Sequence, residues 1–128
     1  MNGATAKPLR MLLVEDSERD AALLMLYLRR GGYAAEVRRV DTREELRLQL
    51  RHGQWDIVVS DFHLPGFDAF AAMADVQASG RSIPFVVLSG EIASNVIDGI
   101  TAGGSRFVCK YVMREIIPII DEYMRTAD

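Results

Sequence analysis

Five residues carry groups suited to chemistry and stand where a fold would gather them: Glu15, Asp16, Asp61, Ser89 and Lys110. Each closes or follows a short apolar run: Arg10 to Val14 before Glu15-Asp16, Ile57-Val58-Val59 before Ser60-Asp61, Pro84 to Leu88 before Ser89-Gly90, and Phe107-Val108-Cys109 before Lys110. Singly, each has an ordinary reading. An aspartate after a strand is most often a helix cap or turn former, Ser89-Gly90 a turn, Lys110 a solvated charge, and Glu15-Asp16 favourable charge at a helix start. Their joint placement at four strand ends points to chemistry, because open α/β sheets bind ligands outside the carboxyl ends of their strands.

Neighbouring strands lie about 4.8 Å apart, so Glu15, Asp16 and Asp61 would converge within reach of one metal ion. Three carboxylates that close repel one another, and one would hold its proton more tightly unless a cation joined them. Oxygen ligands without His or Cys favour a hard ion, Mg²⁺ or Mn²⁺, over zinc. Ser89 is the next neighbour. Lys110 stands two strand spacings from Asp61, about 10 Å in backbone terms, a gap its long side chain can close. A carboxylate so surrounded can act as a nucleophile toward phosphorus and carry a phosphoryl group as an aspartyl phosphate. Such a transfer is catalysed by positioning and charge neutralisation, which Mg²⁺, Lys110 and the Ser89 hydroxyl would supply.

The elements that must position these residues are legible in the rest of the chain. Ser17 is placed to cap a helix rich in helix formers from Ala21 to Leu28, with Glu18 and Asp20 favourable in its first turn and Gly31-Gly32 at its end. Tyr33 to Val40 reads as an edge strand, because it carries Glu36, Arg38 and Arg39. Thr42 and Glu45 have capping-box spacing ahead of Leu46 and Leu50. After Pro65-Gly66, the segment from Phe67 to Ser79 carries Phe70, Met73, Ala74 and Gln77 at helical spacing. Ile92, Val96, Ile97 and Ile100 predict a fourth helix. Met113, Ile116, Ile117, Ile120, Tyr123 and Met124 predict a fifth, in which Pro118 must lie in the first turn or kink the helix. Strands alternating with helices imply an α/β fold, a (βα)5 doubly wound parallel sheet of flavodoxin-like strand order 2-1-3-4-5.

The chain of 128 residues carries a net charge of −3 and is 49% hydrophobic and 26% charged, in keeping with one globular domain. Residues 1–8 read as a flexible lead-in and 9–128 as the domain. Charges of both signs are interspersed, which argues against direct nucleic-acid binding. The single cysteine, Cys109, forms no internal disulfide and suits a reducing cytoplasm as a small core residue. No apolar stretch approaches a membrane span, and Met1 to Arg10 lacks a signal-peptide core. Trp55 is expected to pack at the far end of the third strand from Asp61.

The motifs LLVED at 12–16, SDFHLPGFD at 60–68, PFVVLSG at 84–90 and the Phe107-x-x-Lys110 ending resemble the receiver domain of two-component response regulators, of the chemotaxis-regulator kind, over residues 9–126. The resemblance implies a phosphoacceptor at Asp61, loaded from a phosphohistidine of a sensor histidine kinase or a histidine phosphotransfer protein. It implies Mg²⁺ held by Asp16, Asp61 and the backbone carbonyl of His63, with Glu15 acting directly or through water. The His63 side chain is expected in solvent. Lys110 falls at the phosphate-contacting position, and Ser89 and Phe107 at the switch positions. Such a domain catalyses its own phosphorylation and its autodephosphorylation without being a conventional enzyme. It signals by reshaping the face made by its fourth helix, fifth strand and fifth helix, a face also open to homodimer formation. The downstream target is not named by the sequence.

This chain departs from the family pattern in four places. Glu15-Asp16 stands where two aspartates are common, Arg106 where an acid or small residue is frequent, Phe107 where tyrosine is usual, and Tyr111 where proline often follows the lysine. An outward Phe107 would have no hydroxyl to leave in water, so it is expected inward even without a phosphoryl group. A flavin-binding protein would need a phosphate-cradling first loop, where Glu15-Asp16 would repel a phosphate. An aspartate-nucleophile phosphatase usually has a second acid where His63 stands. A degenerate receiver acting only as a protein-docking module is the remaining alternative.

Overall fold

The computed structural model describes residues 5–126. Five parallel strands form one sheet: β1 (Lys7–Val14), β2 (Tyr33–Val40), β3 (Ile57–Ser60), β4 (Phe85–Ser89) and β5 (Arg106–Cys109), in the order β2-β1-β3-β4-β5. Helices α1 (Glu18–Arg30), α2 (Arg43–His52), α3 (Ala69–Ala78), α4 (Ser94–Ala102) and α5 (Ile116–Thr126) connect and cover the strands. The flavodoxin-like order expected from the alternation of strands and helices is the order found.

The sheet is buried on both faces because β1 from Met11 to Val14, β3 from Ile57 to Val59 and β4 from Phe85 to Leu88 are apolar throughout. Alternate residues serve opposite faces. Leu9, Met11, Leu13, Ile57, Val59, Val86 and Leu88 pack with Leu24 and Leu28 of α1 and Ile116 and Ile120 of α5. Leu12, Val14, Val58 and Val87 pack with Leu46 and Leu50 of α2, Ala72 and Val76 of α3 and Ile100 of α4. Full burial of each large aliphatic side chain contributes about 1.5–3 kcal/mol.

Helix starts follow their caps. Ser17 Oγ accepts from the Asp20 N–H at 3.1 Å, and Thr42 Oγ1 accepts from the Glu45 N–H at 3.2 Å. Pro118 falls in the first turn of α5, where its missing N–H has no intrahelical partner to lose. Trp55 is half-buried at the end of the sheet away from Asp61, with its indole N–H donated to the Gln49 carbonyl at 2.9 Å.

Several boundaries differ from the sequence expectation. β1 begins at Lys7, so it takes in two residues assigned to the lead-in. Lys7 and Pro8 are registered with Tyr33 and Ala34, and the Lys7 N–H donates to the Gly32 carbonyl at 2.8 Å. Residues 1–4 of that lead-in lie outside the described residues, as do residues 127–128 of the expected domain.

Phe67 and Asp68 are not helical. They pair with Leu64 and His63 in a two-residue antiparallel ladder closed by Pro65-Gly66, with Gly66 at φ +82°. A side chain with a Cβ would be strained there. Asp68 then caps α3 by accepting from the Ala71 N–H at 3.0 Å. That shift turns Ala69, Ala72, Met73 and Val76 inward, while Phe70, Ala74 and Gln77 are exposed. Ile92 precedes α4 and Met113 lies in a 3₁₀ segment, Lys110–Glu115, ahead of α5. The chain bends at Val112, whose φ/ψ of −127°/45° no helix continues.

Candidate phosphoacceptor site

The four strand ends bring the predicted residues together. Asp61 follows β3, and its N–H donates to the Val14 carbonyl at 2.9 Å, which seats it beside the end of β1. Glu15 follows β1, with its N–H on the Val40 carbonyl at 2.9 Å. Ser89 closes β4 and Lys110 follows β5. One carboxylate oxygen from each of Glu15, Asp16 and Asp61 lies within 4.8 Å of the others. Glu15 is only 2% exposed, Asp61 is intermediate and Asp16 faces solvent.

Both oxygens of Asp61 are partnered. Oδ1 accepts from the Ser89 hydroxyl at 2.6 Å and from the Phe62 N–H at 2.7 Å, and Oδ2 accepts from the Lys110 ammonium at 2.9 Å. The ammonium also donates to Asp20 Oδ2 at 2.7 Å and forms an ion pair with Glu15 Oε1 at 2.7 Å. The Arg39 guanidinium donates to the Glu15 carbonyl at 3.1 Å and steadies the loop after β1.

These contacts divide the acids electrostatically. Burial pushes the Asp61 carboxyl up, but the Ser89 hydroxyl, Lys110 and the Phe62 N–H outweigh it, and Asp61 titrates below the ordinary carboxylate value of 3.8. Glu15 goes the other way: burial and the charge of Asp61 raise it above 4.5, against the pull of Lys110 and the Ser17 N–H. Burial would release the Lys110 proton, yet Asp20, Glu15 and Asp61 hold it, and the ammonium is more basic than a free lysine. The site therefore offers an ionised, hydrogen-bonded Asp61 beside a crowd of negative charge. All-oxygen donors with surplus anion and a buried glutamate fit a hard divalent cation.

Sequence reasoning placed Glu15, Asp16, Asp61, Ser89 and Lys110 together, and the structure gathers all five. Phe107 is half-buried on β5, packed against the cluster that contains Leu12 and Val87. The exposed His63 ring meets Phe62 edge-on at 4.9 Å. Cys109 is half-buried rather than a full core residue, because it lies on the edge strand. No cis peptide bond occurs among the described residues, including the bond from Lys110 to Tyr111. The sequence reading missed Asp20 at the site. Its place in the first turn of α1 identified it as helix-end charge, and Lys110 lies ninety positions further along the chain.

Residues 11–120 match the family model of the response regulator receiver domain, and the chain belongs to that family. It is 29% identical over 119 residues to the transcriptional regulatory protein RprY of Bacteroides fragilis, covering 91% of this chain and 50% of RprY. It is 27% identical over 124 residues to a two-component response regulator of Oryza sativa, covering 94% of this chain and 98% of that protein. The chain thus spans about half the length of RprY and of the other bacterial transcriptional regulators it resembles.

The fold superposes on that of a response regulator from Hahella chejuensis with a TM-score of 0.76 at 24% identity, covering 90% of this chain and 94% of that one. It also matches the receiver domain of a sensor histidine kinase from Pseudomonas aeruginosa, whose structure has a magnesium ion coordinated in the active-site cleft. That match has a TM-score of 0.75 at 22% identity and covers 91% of this chain and 97% of that one. Among the described residues no helix is long and apolar enough to cross a membrane.

Proposed function

We propose that this domain accepts a phosphoryl group on Asp61 from a phosphohistidine of a sensor histidine kinase or a histidine phosphotransfer protein. The observation that carries the reading is the Asp61 carboxylate, held between the Ser89 hydroxyl and the Lys110 ammonium with Glu15 and Asp16 alongside. An Asp61 oxygen attacks phosphorus as the phosphorus–nitrogen bond breaks, and its electron pair stays on the departing imidazole. Because Asp61 is already ionised near neutral pH, no base is needed. Lys110 and Ser89 donate to phosphoryl oxygens as charge gathers there. Asp16, Asp61 and Glu15, with the His63 carbonyl, would hold Mg²⁺ or Mn²⁺, which when bound neutralises phosphoryl charge. Autodephosphorylation is the same centre acting with water as acceptor.

The signal leaves through the face of α4, β5 and α5. Ser89 already donates to Asp61 and Phe107 is already half-buried, which supports an equilibrium biased toward the inward switch position before phosphorylation. A cytoplasmic setting follows from the proposed phosphodonor, and the output partner is a protein that reads this face.

The test is incubation of the protein with Mg²⁺ and acetyl phosphate, followed by mass spectrometry. One acid-stable, base-labile phosphoryl adduct is expected, and Asp61→Asn should lose it. Stoichiometric phosphorylation of that variant at another carboxylate would refute the assignment. A wild-type protein that binds Mg²⁺ but takes no phosphoryl group would instead identify a docking module.

A further inference from the structure

We propose that Asp20 is a positioning residue for Lys110, anchoring the ammonium beside Asp61 when a divalent cation engages the other acids. The Ser17 hydroxyl caps α1 by accepting from the Asp20 N–H. A carboxylate at this third helical position ordinarily turns back to the N–H of the capping residue. Here the Ser17 N–H donates instead to Glu15 Oε2 at 3.1 Å. The Asp20 carboxylate is thereby released from helix capping, and it reaches Lys110 at 2.7 Å.

An ammonium has three donors. In this protein the ammonium meets three carboxylates, donating to Asp20 at 2.7 Å and Asp61 at 2.9 Å and pairing with Glu15 at 2.7 Å. Glu15 and Asp61 belong to the three-acid cluster suited to a cation, whereas Asp20 does not. Glu15 and Asp61 would give oxygens to a cation at the expense of Lys110, whereas Asp20 would keep its pair with the ammonium. One donor then keeps the four-carbon stem in place while the others are free for new acceptors. Without Asp20 the stem regains its rotamer freedom when the cation arrives, and that freedom must be lost again on binding a phosphoryl group.

Two measurements on the full chain at saturating Mg²⁺ decide the proposal. The first is nitrogen-15 NMR of the lysine ammonium groups. Lys110 should give a protected cross-peak in the wild type that is lost by exchange in Asp20→Ala. The second is affinity for beryllofluoride, a phosphoryl analogue, followed by amide shifts. Asp20→Ala should bind about fivefold more weakly, the scale of one partly solvated charge-assisted contact.

Asp20→Asn keeps an acceptor oxygen without the charge and should fall between the two. It carries the same test if Asp20→Ala does not fold. Ser17→Ala weakens the helix cap without touching Lys110, and should leave beryllofluoride affinity unchanged. A retained Lys110 cross-peak, or unchanged or tighter beryllofluoride binding, in the Asp20 variants would overturn the proposal, as would an equal loss in Ser17→Ala. The affinity arm rests on the phosphoacceptor reading and the ammonium arm does not. Failure of the wild type to bind beryllofluoride would count against that reading and leave the cross-peak to decide Asp20.

Discussion

At the scale of single residues, the site separates acids of like chemistry by their partners. Asp61 meets two hydrogen-bond donors and an ammonium and stays ionised, whereas the nearly inaccessible Glu15 holds its proton more readily than a free glutamate. Asp16 is the solvent-facing member of the three-acid cluster. Asp16→Asn keeps the shape and removes one of few anionic oxygens, so Mg²⁺ affinity should fall by about tenfold or more. Calorimetric titration of both proteins with Mg²⁺ checks this, and equal affinities would contradict the proposed ligand set.

At the scale of elements, the helices are attached unequally. α2 and α3 are joined through Asp75, which is nearly inaccessible and accepts from Arg43 Nε at 2.8 Å, Arg43 Nη2 at 3.1 Å and Arg47 Nε at 3.2 Å. Burial pushes the Asp75 carboxyl up, but the two guanidiniums win and hold it below 3.8. A carboxyl depressed in the folded state binds its proton more readily when unfolded. Its stabilisation is therefore full above the unfolded value and is lost as pH falls through the folded one.

Asp75→Asn should destabilise the protein by about 1–3 kcal/mol at neutral pH, toward the low end because both arginines are partly solvated. The gap between the variant and the wild type in urea denaturation should close as pH drops below about 4. α4 is held more loosely. Its capping residue, Ala93, offers no side-chain acceptor, Gly99 lies in its interior, and Ile100 is its one fully buried residue. The amides of α4 should exchange with deuterium faster than those of α1, where Ser17 caps and Ala21, Leu24 and Leu28 are buried. Mass-spectrometric exchange reads this directly.

At the scale of the whole molecule, a densely packed centre meets a more sparsely packed side at β5 and α4. β1 and β3 are locked between two apolar layers, whereas β5 is an edge strand flanked by the loosely held α4. The proposed phosphorylation of Asp61 would therefore have its softest route outward through Ser89 and Phe107. Full burial of a phenylalanine contributes about 1.5–3 kcal/mol, which would favour the proposed inward Phe107 before any phosphoryl group arrives. Phe107→Tyr gives the outward position a hydroxyl to solvate. The variant should show a larger shift of α4 and α5 amides between its free and beryllofluoride-bound states than the wild type. Equal shifts would show that the ring's hydroxyl does not set the balance.

The sequence by itself determined the (βα)5 order and the five residues at the strand ends. Those signals are local: apolar runs of strand length, caps such as Ser17 and Thr42, and a polar residue where each run stops. It also limited Pro118 to a first turn or a kink, and the structure chose the first turn of α5. The inward face of α3 was not legible, since Phe70 is the more apolar residue and yet the ladder from His63 to Asp68 turns Ala69 and Ala72 to the sheet. Nor was the use made of Asp20. A carboxylate in the first turn of a helix satisfies every local rule for capping. Only the folded chain, which carries Lys110 back across the sheet and gives the Ser17 N–H to Glu15, decides that this carboxylate serves the ammonium instead. Long-range pairing of charges depends on which strand ends become neighbours, and that is a property of the assembled sheet.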